Sequence, residues 1–180
     1  MKEALLNTIH DIYLGHNYQL FRSKCMNTPY YITELLNTSK SLCEDVTISH
    51  FVDWPSIELF CKFSSYKKDL FSVDYTTIIK ISKISDIFAF QHEFSVENYD
   101  PNRMEPVLDG YSGTAYTMEQ NSFEISLSKL LNNYGLEKIT LSEMEEVVCD
   151  VPMPETKIFG PQMTVEYALF KDLYNICQTT

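Results

Sequence analysis

Apolar residues recur every three or four positions in the first part of the chain, which predicts two helices. The first apolar stripe covers residues 5–20 and includes His16, while Gly15 weakens its second half. The second helix is predicted to begin at Thr28-Pro29, because Thr is a favourable N-cap and Pro at the first helical position loses no needed donor. The short polar link between them predicts an antiparallel helical pair that packs against another element.

From Val46 onward the apolar spacing changes from the helical period to a period of two, which predicts strands. The predicted strands cover residues 57–64, 70–73, 75–82 and 86–96. His92 falls among inward-facing phenylalanines, so we expect it to be packed or hydrogen-bonded. Strands this close in sequence pair as an antiparallel meander, since parallel strands need long crossover connections.

A loop is predicted over residues 97–113, which are rich in Asn, Asp, Pro and Gly. Long loops in compact domains are often functional, so this segment is a candidate site. Short strands are expected at residues 115–119 and 137–141. Together with the helices, these elements predict an α+β fold, with an antiparallel β-meander sheet packed against an N-terminal helical pair and C-terminal helices. One domain spanning residues 1–180 is expected.

Three helices are expected after that loop. The first is predicted to be capped by Ser122 and ended by Gly135, which suits the left-handed position after a helix. The second begins at residues 142–145, which fit the S-x-x-E capping-box pattern. The last is capped by Thr164 and reaches Ile176.

The negative charge is concentrated in the second half of the chain. The 180 residues carry a formal net charge of −11. Residues 1–92 hold 10 acidic and 9 basic side chains, whereas residues 93–180 hold 15 acidic and 5 basic ones. Phosphate backbones and anionic membranes attract clustered Lys and Arg, so neither nucleic acid nor a membrane is an expected partner. The second half predicts either a solvated acidic surface or a surface that faces a basic protein.

The cysteines and the N-terminus predict a cytoplasmic protein. The five cysteines are widely spaced and form no C-x-x-C pair, so we expect five reduced thiols. They are Cys25, Cys43, Cys61, Cys149 and Cys177. Lys2, Glu3 and Asn7 interrupt the apolar run that a signal peptide needs, and no apolar stretch approaches the roughly 20 residues that span a bilayer.

No pattern in the chain is typical of an enzyme. The four histidines, His10, His16, His50 and His92, stand in no metal-ligand motif. Residues 110–114 approximate the G-x-S-x-G nucleophile elbow, but Thr114 replaces its last glycine, and a turn is expected there instead. A phosphate-binding loop and a dinucleotide fingerprint are both missing. We therefore predict no enzymatic activity, no metal and no cofactor.

Acidic and tyrosine residues form the candidate partner-binding site. Tyrosine brings contact area at low entropic cost, and exposed Tyr beside carboxylates is common in interfaces. The candidates are Glu97, Tyr99, Asp100, Glu105, Asp109 and Tyr111 in the predicted loop, and Glu143, Glu145 and Glu146 near a helix start. Solvation and helix capping are the alternative roles for these carboxylates.

Residues 164–173, with the sequence TVEYALFKDL, resemble the last helices of bacterial immunity proteins from polymorphic and contact-dependent growth inhibition toxin systems. Size, acidity, cysteine usage and α+β layout agree with that class. The resemblance implies a cytoplasmic inhibitor that binds and neutralises a basic cognate toxin, with a nuclease domain as the expected target. No functional residue carries over by position, because these families are diverse.

Two other functions remain open from the sequence. A metal-dependent hydrolase requires His50, His92 and several carboxylates to converge in a deep pocket. A small-ligand-binding module requires a large dry apolar cavity next to the meander.

Overall fold

The computed structural model describes residues 2–49, 52–102, 108–154 and 162–177. The elements, in chain order, are α1 (Glu3–Tyr13), α2 (Tyr18–Met26), α3 (Ile32–Leu42), β1 (Asp45–Ser49), β2 (Ser56–Lys68), β3 (Phe71–Ser82), β4 (Ile87–Asn98), β5 (Leu108–Ser112), α4 (Met118–Asn133), β6 (Glu137–Lys138), α5 (Leu141–Met144) and α6 (Val165–Phe170). The fold is α+β, as the sequence predicts. No helix in these described ranges is long and apolar enough to cross a bilayer.

The strands form one sheet in the order β1-β2-β3-β4-β5, with antiparallel neighbours, and this confirms the predicted meander. The short β6 pairs in parallel with the start of β4. The two predicted strands 70–73 and 75–82 are one continuous strand, β3. The prediction of a loop from residue 97 is also wrong, because β4 runs to Asn98 and β5 occupies residues that were expected to be loop.

Helices cover the two faces of the sheet unequally. On one face α3 and α4 pack against strand residues such as Leu59, Ile79 and Phe90, which are essentially buried. On the other face α1, α2 and α6 pack near Ile87 and Ala89, at one end of β4. Beyond these helices, the second face carries mainly polar side chains together with Phe60 and Ile78. Several of the polar ones are partly or fully exposed.

The N-terminal helices begin and end differently from the prediction. The first stripe is two helices, because α1 ends at Tyr13 and His16 adopts a left-handed φ of 53°. Asn17 then caps α2 by accepting from the Leu20 N–H. His16 is therefore exposed instead of lying on an apolar face. The predicted start at Thr28-Pro29 is wrong as well, since α3 begins at Ile32 after a turn.

The C-terminal helices exist as predicted, but two of their three caps differ. Thr117, not Ser122, caps α4 through a capping box with Gln120. The strand expected at 115–119 is wrong, because α4 begins at Met118 and residues 115–117 form no strand. The box of α5 is formed by Thr140 and Glu143. Thr164 caps α6 and the left-handed Gly135 follows α4, both as predicted.

The last helix is shorter than predicted, since α6 ends at Phe170. Ser56 and Ser82 on the sheet donate hydrogen bonds to the carbonyls of Phe170 and Leu169. Asp172 then accepts from the N–H groups of Ile176 and Cys177, which fixes a turn beyond the helix.

A disulfide joins Cys25 of α2 to Cys177, so the prediction of five reduced thiols is wrong. The two Cα atoms are 6.3 Å apart, and both side chains are buried against the core. The residues are 152 positions apart in the sequence, so their meeting depends on the docking of the C-terminal segment onto α2. Cys43, Cys61 and Cys149 are free thiols.

Candidate functional site

Four carboxylates and one tyrosine share the uncovered part of the sheet. We call this surface the acidic face, defined by Asp74, Glu93, Glu97, Asp109 and Tyr111. Because side chains alternate along a strand and directly paired residues share a face, the strand register places them together. Asp74 and Asp109 both pair with Ser95, and Tyr111 pairs with Glu93. Glu97 follows two residues beyond Ser95 on the same side of β4.

The opposite side of these strands explains why the face can form. Phe94 alternates with Glu93 and Ser95 and packs edge-on against Tyr116, with 4.9 Å between ring centroids. Gly110 lies across from Phe94, where a Cβ atom would be 2.7 Å from the ring. The missing side chain lets β5 lie close to β4, and this holds Asp109 and Tyr111 beside the carboxylates of β3 and β4.

Within the described part of the chain, the carboxylates of the acidic face are not held in ion pairs, although Lys62 and Lys67 lie on the same side of the sheet, two strands away from Glu93 and Glu97. Ser65 donates a hydrogen bond to Asp74, and Gln91 Nε2 donates to Glu93 Oε1 at 2.6 Å. Tyr99 donates to Glu97, and this bond raises the pKa of the Tyr99 hydroxyl. Among the described residues, no cation lies within ion-pair distance of any of the four carboxylates.

Tyr111 stands between two open clefts and is 65% exposed. The larger cleft, of about 400 Å³, is lined by Asp74, Glu93, Asp109 and Tyr111 together with strand backbone. The smaller one, of about 120 Å³, is lined by Tyr111 and Glu145 and by the ion-paired Lys80 and Glu166. A basic side chain entering the larger cleft would meet carboxylates and the tyrosine ring.

The structure brings together only some of the residues predicted for the loop. Glu97, Asp109 and Tyr111 lie on the acidic face, but in strands instead of a loop. Tyr99 follows directly after β4 and is exposed. Asp100 accepts a hydrogen bond from the Asn102 N–H at 2.9 Å and shapes the turn there. Glu105 lies outside the described residues.

The three candidate glutamates near α5 have different surroundings. Glu143 accepts bonds from the Thr140 N–H at 2.7 Å and from its hydroxyl at 2.8 Å, and these bonds lower the pKa of Glu143. Its role in the structure is therefore helix capping. Glu145 is exposed and borders the smaller cleft beside Tyr111. Glu146 is half-buried, and its carbonyl accepts from the Val165 N–H.

Asp74 and Glu93 belong to the acidic face but were not among the predicted residues. A signal for Glu93 exists in the sequence, because Glu93, Ser95 and Glu97 alternate with Phe94 and Val96. No such signal places Asp74 next to Asp109, since their proximity depends on the pairing of β3, β4 and β5.

His92 is a core residue, as predicted, and is fully buried. Its Nδ1 lies 2.9 Å from Thr77 Oγ1 and its Nε2 lies 2.6 Å from Glu124 Oε2. Both ring nitrogens of His92 therefore already have partners, and the imidazole is not free to act as a general base for Ser112, its neighbour on β5. Ser112 instead accepts from the Thr114 N–H, within and just after β5.

The two alternative functions require a metal-binding cluster or a large dry apolar cavity. The described ranges contain no group of three or more His, Cys, Asp or Glu residues placed to hold a metal ion. His50 lies outside them. The cleft between the end of α3 and the start of α4, of about 460 Å³, is open and has mixed walls that include Glu44, Glu119 and Phe63.

No protein-family model, no curated protein and no solved structure matches the chain. The interpretation of the acidic face therefore depends on its geometry, its exposure and its charge.

Proposed function

We propose that the chain is an inhibitor of the immunity-protein kind, which binds and neutralises a basic protein toxin through the acidic face. The single observation that carries the proposal is the set of four carboxylates without ion pairs around an exposed tyrosine. A nuclease domain is the favoured target, since a protein that grips phosphates must present Lys and Arg. An acidic surface competes for those same groups.

The placement of Tyr111 supports a protein partner over a simple solubility role. Tyrosine and arginine are enriched among the residues that dominate binding energy, and they often stack across an interface. Tyr111 keeps most of its surface in solvent and lines both clefts.

The inhibitor would act in the cytoplasm of the cell that makes it. Cys25 and Cys177 connect α2 to the C-terminal segment, and neither lines the acidic face. We expect the proposed interface to persist when this disulfide is reduced in the cytoplasm, because the residues of the acidic face lie in β3, β4 and β5.

Co-purification from the native cell tests the proposal. The tagged wild-type chain is compared with a face variant, Asp74→Asn/Glu93→Gln/Asp109→Asn. The matched control, Glu3→Gln/Glu119→Gln/Asp150→Asn, removes three negative charges from exposed positions elsewhere. We expect wild type and control to retain a stoichiometric basic protein that the face variant loses.

Two results would contradict this function. One is a retained partner that is neutral or acidic. The other is a basic partner that the face variant holds as well as the wild type does. Thermal unfolding of both variants checks that any loss of binding is not a loss of fold.

A further inference from the structure

The outer edge of β5 lies next to the acidic face. Within the described residues β5 pairs only with β4, which makes it a terminal strand of the sheet. Three of its five residues are exposed: Leu108, Asp109 and Tyr111. Open edges present unpaired backbone N–H and C=O groups, and such edges accept an additional strand.

The hydrogen-bond alternation identifies which backbone groups of β5 point outward. In an antiparallel ladder, successive residues direct their N–H and C=O groups to opposite sides. The Tyr99 N–H donates to the Leu70 carbonyl, so odd-numbered residues of β4 face β3 and even-numbered ones face β5. Gly110 pairs with Phe94 and therefore faces β4. The N–H and C=O groups of Asp109 and Tyr111 consequently point away from the sheet.

We propose that an extended basic segment of the partner adds to the sheet as a strand beside β5, with its Lys or Arg side chains over the acidic face. This inference rests on the proposed function and specifies how the partner is recognised. Alternate residues of the added strand would lie on the same side as Asp109 and Tyr111. Backbone pairing supplies affinity in this mode, and the side chains of one face supply selectivity.

Charge favours a basic partner over a second copy of the chain at this edge. Two copies paired through β5 would place their acidic faces side by side, and each chain has a net charge of −11. Such like-charge contacts are destabilising. The other terminal strand, β1, lacks this bias, because its single acidic residue Asp45 pairs across from Lys62.

A designed peptide tests the edge directly. The probe is a labelled peptide of about nine residues with alternating Lys and Thr, which favours an extended strand. One control peptide carries N-methyl groups on alternate backbone amides, and another replaces Lys with Glu. Binding to the full chain is measured by fluorescence anisotropy. We expect the Lys peptide to bind, N-methylation to weaken binding at least about tenfold, and the Glu peptide not to bind.

A proline variant separates backbone pairing from charge. Asp109→Pro removes an outward N–H, while Asp109→Asn removes the charge and keeps the N–H. We expect Asp109→Pro to weaken Lys-peptide binding at least about fivefold more than Asp109→Asn. Hydrogen exchange supplies a second readout, since the amides of Asp109 and Tyr111 should become protected when the peptide binds.

The edge inference is overturned if the Lys peptide does not bind, or if the N-methylated peptide binds equally well without protecting those amides. Equal effects of Asp109→Pro and Asp109→Asn overturn it too. In each of these cases the proposed function still stands if the face variant loses its basic partner in co-purification. The proposed function fails separately if that partner is not basic.

Discussion

Tyr111 is the exposed aromatic residue of the acidic face. Tyr111 is 65% exposed and lines both clefts, and Glu93 pairs across from it in β4. Sequence reasoning selected Tyr111 because it stood among turn-like and acidic residues. Its place in β5 beside Glu93 could not be predicted, since the pairing joins residues far apart in the chain.

Substitution of Tyr111 tests its role as an anchor. Tyr111→Ala should weaken binding of the basic partner by about 2 kcal/mol, because a large contact between two clefts is removed. Tyr111→Phe keeps the ring and should retain most of the affinity. Isothermal titration with the co-purified partner measures both. Equal affinity of Tyr111→Ala and wild type would contradict a contact between Tyr111 and the partner.

Glu124 gives a prediction about acid stability. The hydrogen bond with buried His92, together with that from Lys138, lowers the pKa of Glu124 below its ordinary 4.5. A carboxyl whose pKa is lowered on folding stabilises the fold above its unfolded pKa, and this contribution disappears as the pH falls through the folded pKa. The expected loss of stability therefore lies below about pH 4.5.

Glu124→Gln removes this contribution. Its free energy of unfolding at pH 7 should fall by about 2 kcal/mol, and the difference from wild type should shrink below pH 4.5. Urea unfolding at several pH values measures it, with the exposed Glu119→Gln of the same helix as control. A difference that stays constant down to pH 2 or so would contradict the assigned cause.

At the level of elements, hydrophobic periodicity predicts the type of most helices and strands, but it misses β1 and β5, merges α1 with α2 and often misplaces the ends. Ser122 and Thr117 are both plausible caps for α4 in the sequence. The T-x-x-Q spacing of Thr117 and Gln120 fits the capping-box pattern, so a local signal for the observed cap is present in the sequence. The fully buried Gln120 also donates to the carbonyl of Thr76, and this tertiary contact is not readable from the sequence.

Gln120 should therefore matter for both the helix and the sheet. Its side-chain oxygen accepts from the N–H groups of Tyr116 and Thr117, and its nitrogen binds the Thr76 carbonyl. Gln120→Met fills the space but loses these bonds, and we expect it to destabilise the fold by about 3 kcal/mol. The exposed neighbour Asn121→Ala is the control. Chemical denaturation that places both variants within about 0.5 kcal/mol of wild type would refute this role.

The disulfide between α2 and the C-terminal segment could not be predicted from cysteine spacing, because only the docking of these elements brings Cys25 and Cys177 together. Oxidised protein should yield three titratable thiols after denaturation, those of Cys43, Cys61 and Cys149. Reduction should lower the free energy of unfolding by a few kcal/mol, since a long loop is no longer closed. Cys25→Ser should remove this redox dependence. Five thiols in air-oxidised protein would contradict the bond.

At the scale of the whole molecule, part of the negative charge of the second half lies on one surface of the fold. The excess acidic residues of the second half are distributed over several elements, and only part of that excess reaches the acidic face. Asp74 joins the face from the nearly neutral first half. Composition predicted the sign of the surface, and strand pairing determined its members.

Association kinetics with the basic partner test the central claim most directly. Rates are measured for the wild type, the face variant and the matched control between about 0.05 and 0.5 M salt. Electrostatic steering through the acidic face predicts fast association of wild type and control at low salt, with a steep fall as salt rises. The face variant should associate several-fold more slowly and with a shallower salt dependence. Equal rates and equal salt dependence for the face variant and the control would contradict the acidic face as the binding surface.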